Sequence, residues 1–190
     1  ELLDVTLDWN RAALLRGRLE VRELSAASLS VLRAPISEGV DVPDAEASGF
    51  RIPDLPVTIQ LDRLAIEEIF LGAPLLGQEV RARAELGATL ADGGLTLLLD
   101  AARTDAQPGE AKINLTFAPE DEVLTIDMTV AEPEGGSAAT ALGLPGSPAL
   151  SLRVEGGGPL DAFDATLALA TDGEERLAGQ AMIAATEGGN

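Results

Sequence analysis

Val80-Arg81-Ala82-Arg83-Ala84-Glu85-Leu86-Gly87-Ala88-Thr89-Leu90 decides the fold. Val80, Ala82, Ala84, Leu86, Ala88 and Leu90 occupy every second place, against Arg81, Arg83, Glu85, Gly87 and Thr89. Alternation of period two belongs to a β-strand with one dry face, not to a helix. Asp92-Gly93-Gly94 follows, a hairpin turn by composition because Gly supplies the positive φ that such turns demand. Leu95, Leu97, Leu99 and Ala101 then return in the same alternation.

The pattern extends in both directions. Downstream, Ala111 to Phe117 forms the next strand, Pro119-Glu120-Asp121-Glu122 turns, and Leu124 to Val130 returns. Residues 135–143 break the alternation, and their Ala-rich middle predicts a short helix near 137–143, the only helix expected. Strands resume at Leu150, Leu152 and Val154, and again from Phe163 to Leu169 and from Leu177 to Ile183. Gly156-Gly157-Gly158 reads as a flexible or tight connection between them. Upstream, alternating segments run from Leu3 to Trp9, from Leu15 to Val21, from Ala27 to Val31 and from Val57 to Leu61, the last continuing through a bulge to Leu64 and Ile66. Residues 34–56, with Pro35, Pro43, Pro53 and Pro56, read as an irregular connection. About eleven strands result, ordered as an antiparallel meander. Only one side of such a sheet is dry, so two sheets, or one folded on itself, would be needed to cover it.

Composition narrows the function. The hydrophobic content of 46% excludes disorder, and with 3% aromatic residues the internal surface is aliphatic. A net charge of −19 repels nucleic acid. Residues 1–33 balance five Arg with five acids, so the acidic excess lies in residues 34–190. A solvated acidic surface is the plain reading; the sharper one places the Arg-richer start near anionic lipid headgroups. The chain lacks an initiator Met and begins within an alternating pattern, so it is expected to be a single all-β segment, 1–190, of a longer protein. No apolar run is long enough for a spanning helix.

Chemistry finds little to work with. His and Cys are absent, which removes the usual general base, thiolates and Cys-rich zinc sites. Lys112, the sole Lys, falls on the charged side of its strand. The acids collect in turns without calcium-loop spacing, and Gly156-Gly157-Gly158 lacks the Lys and helix of a phosphate cradle. Trp9 closes an inward row, as core, as a cap on an apolar layer, or as a gate for a ligand. No catalytic residue, metal ligand or cofactor is expected.

Val5-Thr6-Leu7-Asp8-Trp9, Leu14-Leu15-Arg16-Gly17 and the strand ending in Arg33-Ala34-Pro35 occur in an order that resembles the TamB family, within the AsmA-like group of bridge-type lipid transfer proteins. Leu55-Pro56-Val57-Thr58-Ile59 with Leu71-Gly72, and Leu142-Gly143-Leu144-Pro145-Gly146 through to Asp172-Gly173, look like later blocks of that family. The resemblance implies an inner-membrane subunit of the translocation and assembly module, held by an anchor outside these residues and standing in the periplasm. It further implies a β-trough, or β-taco, that passes phospholipids between inner and outer membranes and supports outer-membrane protein assembly with an outer-membrane β-barrel partner.

The family offers no catalytic residue to carry over, so the lining of the groove is assigned through the alternation. It comprises Leu3, Val5, Leu7 and Trp9; Leu19, Val21, Leu29 and Val31; Val57, Ile59 and Leu61; and Val80, Ala82, Ala84, Leu86 and Leu90. It continues with Leu95, Leu97 and Leu99; Ile113, Leu115 and Phe117; Leu124, Ile126 and Met128; Leu150 and Leu152; and Phe163, Leu167 and Leu169. Phospholipid acyl chains are the expected occupants, since dispersion and the hydrophobic effect are non-directional. The expected fold is therefore all-β, an elongated trough or half-open sandwich with an aliphatic interior. The alternative function is a non-catalytic scaffold that binds a protein by β-strand addition at a sheet edge.

Overall fold

The computed structural model describes residues 1–33 and 58–184. Ten strands form one open sheet in chain order: β1 (Leu2–Trp9), β2 (Arg18–Val31), β3 (Thr58–Leu71), β4 (Val80–Ala91), β5 (Gly94–Arg103), β6 (Glu110–Ala118), β7 (Val123–Glu132), β8 (Leu150–Pro159), β9 (Ala162–Thr171) and β10 (Glu174–Ala184). Three short helices interrupt them, α1 (Arg11–Leu14), α2 (Ala73–Leu76) and α3 (Ser137–Ala141). The helix expected near 137–143 is α3. The other two correct the expectation of a single helix: each is one turn, too short to show a helical period.

The hairpins follow from their turn residues. Asp92 (φ 49°) and Gly93 (φ 74°) form the two-residue loop between β4 and β5, closed by Ala91 opposite Gly94. Asp172 (φ 53°) and Gly173 (φ 78°) repeat it between β9 and β10. Two consecutive positive φ values are the type I′ geometry, whose twist matches that of the strands it joins.

One pair departs from the meander. β2 and β3 run parallel, Arg18 opposite Thr58 through to Val31 opposite Leu71. The Thr58 N–H donates to Gly17 O, just before β2 (3.1 Å), so the two strands begin at the same height and run side by side in one direction. The connection expected at 34–56, and Val57 in the expected lining, lie outside the described residues. The segments read as two strands, 15–21 and 27–31, belong to one strand, β2, except that residues 15–17 lie in the turn before it. Gly156-Gly157-Gly158 lies inside β8 rather than in a connection.

Beyond its hydrogen-bonded neighbours no strand packs extensively on another among the described residues, so the sheet neither closes into a barrel nor doubles into a sandwich. Core is correspondingly scarce. The buried apolar residues are Ala13, Ala26, Ala65, Val80, Phe117, Ala139, Leu150 and Phe163, half of them alanines. One tight place between side chains is at Gly156, where a Cβ would come 2.6 Å from Cζ of Phe163: the ring on β9 fills the space that a side chain on β8 would need. Gly156→Val is expected to displace that ring and destabilise the fold by about 1–3 kcal/mol. Urea unfolding of the variant measures this, with Gly143→Val, where a Cβ meets nothing within 4 Å but φ is +68°, as a control for backbone strain alone.

Candidate functional site

Cross-strand register sorts the side chains into rows, because directly paired residues point to the same face. One row crosses the whole sheet: Leu7, Leu24, Leu64, Leu86, Leu99, Ile113, Met128, Val154, Leu167 and Gly179. On one side of it runs Val5, Ala26, Ile66, Ala84, Ala101, Ala111, Val130, Leu152, Leu169 and Leu177. On the other runs Trp9, Val21, Leu61, Ala88, Leu97, Leu115, Ile126, Gly156, Ala165 and Ala181. A further row includes Leu19, Ile59, Leu90, Leu95, Phe117 and Leu124. At about 4.8 Å per strand the aliphatic face is roughly 43 Å long.

Strict alternation does not survive in β2 and β3. Their inward residues sit at 19, 21, 24, 26, 29, 31 and at 59, 61, 64, 66, 69, 71, with an extra outward residue after each second inward one; Ala65 and Phe70 fall on the other face, paired with Glu85 and Arg81. β4 is regular, and its register against β3 shifts between Leu61 and Leu64 and again between Ile66 and Ile69. These irregularities stand side by side in β2 and β3, so both strands keep these inward residues on the face that Ala82 to Leu90 define. β1 follows through a second shift at Asp8/Trp9 and a positive φ at Asp4.

The expected lining is thereby adjusted. Leu3 is corrected: it pairs with Ser28, which pairs with Glu68, on the charged face, and Leu2 opposite Leu29 takes its place. Leu24, Ala26, Leu64, Ile66, Ile69 and Leu71 join the face; the five-residue spacing in two segments forty residues apart was the signal for them. Val31 pairs with Leu71, which pairs with Val80, at one margin, and Leu150 and Phe163 are buried. The register keeps the other assigned residues on the apolar face. On β4 to β9 these side chains are mostly half-buried while their neighbours in sequence are exposed, and β1 at the edge leaves Leu2, Val5 and Leu7 about half exposed.

Two charges stand in the row at the α2 and α3 margin, against the expectation of almost purely apolar rows. The side chains of Arg103 and Glu132 are each 7% exposed and pair at 3.2 Å. Gly109 lies between them on the intervening strand position, where a Cβ would meet Arg103 Cδ and Glu132 Cγ at 2.9 Å; its missing side chain lets the ions meet. Arg103 also donates from Nε and Nη2 to Asp105 at 3.0 and 2.8 Å. Glu132 accepts from Ser137 Oγ at 2.9 Å and from the Ala138 N–H, tying α3 to the sheet. Beside this cluster is a cavity of about 250 Å³ whose apolar lining includes Leu76, Ala82, Ala111 and Val130. The hydrogen bond from Arg103, aided by the backbone N–H groups of Arg81 and Gln107, holds the Asp105 carboxyl below its ordinary value despite partial burial.

The opposite face is ionic. Arg63 on β3 bridges Glu23 on β2 (3.1 Å) and Glu85 on β4 (2.9 Å). Lys112 pairs with Asp100 at 3.7 Å, and Arg153 pairs with Glu155. A depression of about 630 Å³ on this face is lined by Arg63, Glu85, Asp100 and Lys112, which are engaged with one another. Among the described residues no group of three or more His, Cys, Asp or Glu is placed to hold a metal, and no helix is long and apolar enough to cross a membrane. No family model, curated protein or solved structure matches the chain.

A pH dependence follows from Asp105. Because its folded pKa is depressed from 3.8, its contribution is complete above that value and is lost as the pH falls through the lower, folded pKa. Asp105→Asn is expected to lower stability at neutral pH by about 1–2 kcal/mol. In urea titrations the gap to the unsubstituted protein should close on acidification; a constant gap would contradict the ion pair.

Proposed function

We propose that this chain is a section of a lipid-guiding trough in the periplasm, passing phospholipids between inner and outer membranes along its aliphatic face. The observation that carries the reading is the row from Leu7 to Gly179, apolar on every strand that bears a side chain there, with no strand or long helix laid over it among the described residues. A continuous apolar surface without convergent polar groups suits acyl chains, which bind through non-directional contacts and slide without breaking specific bonds. It offers no site for general acid–base or nucleophilic chemistry of the usual kinds, so the protein is read as non-catalytic. Membership of the TamB group, an anchor in the inner membrane, a role in outer-membrane protein assembly and an outer-membrane β-barrel partner are parts of the same proposal and rest on the sequence resemblance.

The second reading, a scaffold engaged by strand addition, is favoured by the two unpaired edges β1 and β10. The two differ in what occupies the face. Lipid extraction and native mass spectrometry of the purified chain should recover phospholipid under the first reading and none under the second. Leu86→Asp and Leu115→Asp each place a charge within the rows and are expected to abolish lipid retention, at a stability cost of about 1–3 kcal/mol. Arg83→Ser, on the charged face, should leave retention unchanged. Circular dichroism separates lost lipid from lost fold, and equal behaviour of all three variants would refute the assignment of faces.

A further inference from the structure

We propose that the turn joining β1 to β2, residues 10–17, docks on the surface of an anionic lipid bilayer. The turn is firmly built. Asn10 caps α1 by accepting from the Ala12 N–H (3.2 Å), and its Nδ2 donates to Glu20 (2.8 Å). Ala13 is wholly buried, and Gly17, at φ 72°, closes the turn and accepts from Thr58. What this frame holds outward is apolar. Leu15 is 91% exposed, more than any other large hydrophobic residue described, and Leu14 beside it is 46% exposed.

Exposed leucines on a braced turn need a partner, and the charges around them specify which. Residues 10–17 contain Arg11 and Arg16 and no acid, within a chain of net charge −19. The Arg11 guanidinium lies 5.9 Å from the centre of the Trp9 ring, whereas Arg18 and Arg22 are paired with Glu20 and Asp8. Arg11 and Arg16 take part in no ion pair among the described residues, so both are available to phosphate. Leucines flanked by arginines, with an indole at the base, match the layered chemistry of a bilayer interface: acyl chains within, anionic headgroups above, an aromatic between. The acidic bulk of the sheet does not cancel this attraction, since charges beyond a Debye length of about 8 Å are screened. Trp9 ends the apolar row that runs to Ala181, so a bilayer at this turn would adjoin the exposed β1 margin of the aliphatic face.

The docking does not require that face to carry lipid, and the two ideas fail separately. Co-sedimentation with mixed phosphatidylglycerol–phosphatidylcholine vesicles should show binding that weakens with added salt and is absent for phosphatidylcholine alone. Emission from Trp9, the sole Trp, should shift to the blue with the anionic vesicles only. Arg11→Gln and Arg16→Gln should each weaken binding roughly five-fold. Leu15→Asp should weaken it more than ten-fold, and Leu142→Asp, at an exposed leucine at the end of α3, should not change it. Leu86→Asp should lose lipid retention yet still bind vesicles. The proposal is overturned if the unsubstituted protein does not sediment with anionic vesicles at low ionic strength, or if Leu15→Asp and Arg16→Gln bind as it does.

Discussion

Everything in this protein depends on holding a two-residue alternation in phase across ten strands. A one-residue slip in any ladder would send every aliphatic side chain beyond it to the wrong face. From β4 to β9 phase is kept by regular pairing, helped by tight turns whose positive φ values set the register of two hairpins. β2 and β3 keep phase by another means. They carry irregularities at matching heights, so their mutual register is unbroken, and the mismatch is taken up where β3 meets regular β4. Arg63, outward between Leu61 and Leu64, pairs with a glutamate on each neighbouring strand at that height, so the residue that breaks the alternation also bridges the three strands.

Much of this was legible in the sequence, and the failures have physical causes. β4 to β9 alternate strictly, and strict alternation fixes both strand and face, which is why the assigned lining from Ala82 to Leu169 stands on one side. Leu3 failed because Asp4 takes a positive φ, and parity counted backwards from Val5 does not pass through such a residue. The parallel pairing of β2 with β3 was hidden because alternation carries no direction; only the length of the intervening chain hinted at a crossover. Gly156 looked like punctuation, since a glycine that yields its space to Phe163 reads the same in sequence as one in a loop. Arg103 and Glu132 sit at strand ends, where a charge is ordinarily taken for solvated, and their pairing depends on the bare position at Gly109.

The faces also divide the energetic labour. The charged face offers exposed ion pairs of modest individual strength, and the aliphatic face is only half-buried, so neither supplies a conventional core. Stability therefore leans on the ladders themselves, on local anchors such as Phe117, Leu150 and Phe163, and on the Arg103 cluster that ties α3 to the sheet margin. A fold built in this way tolerates an occupant on its dry face and gains from one, because burial of those rows by any apolar partner removes their remaining exposure to water.

The wall is not uniform along its length. Leucine and isoleucine dominate where β3 to β7 meet in the central row, while Gly156, Gly158 and Gly179 take inward places on β8 and β10; Phe163 fills the space at Gly156, and the Ala162 carbonyl, 2.8 Å from where a Cβ would stand, closes that at Gly158. A Cβ at Gly179 would meet nothing within 4 Å. The open place is thus Gly179 on β10, where the central row has more depth than at Leu64 on β3. Material held there by dispersion alone would contact fewer side chains per unit length near β10, and contact density is what sets how tightly a non-directional surface grips. A surface that is more open at one edge, with no polar side chain along the central row, accords with the proposed passage of acyl chains.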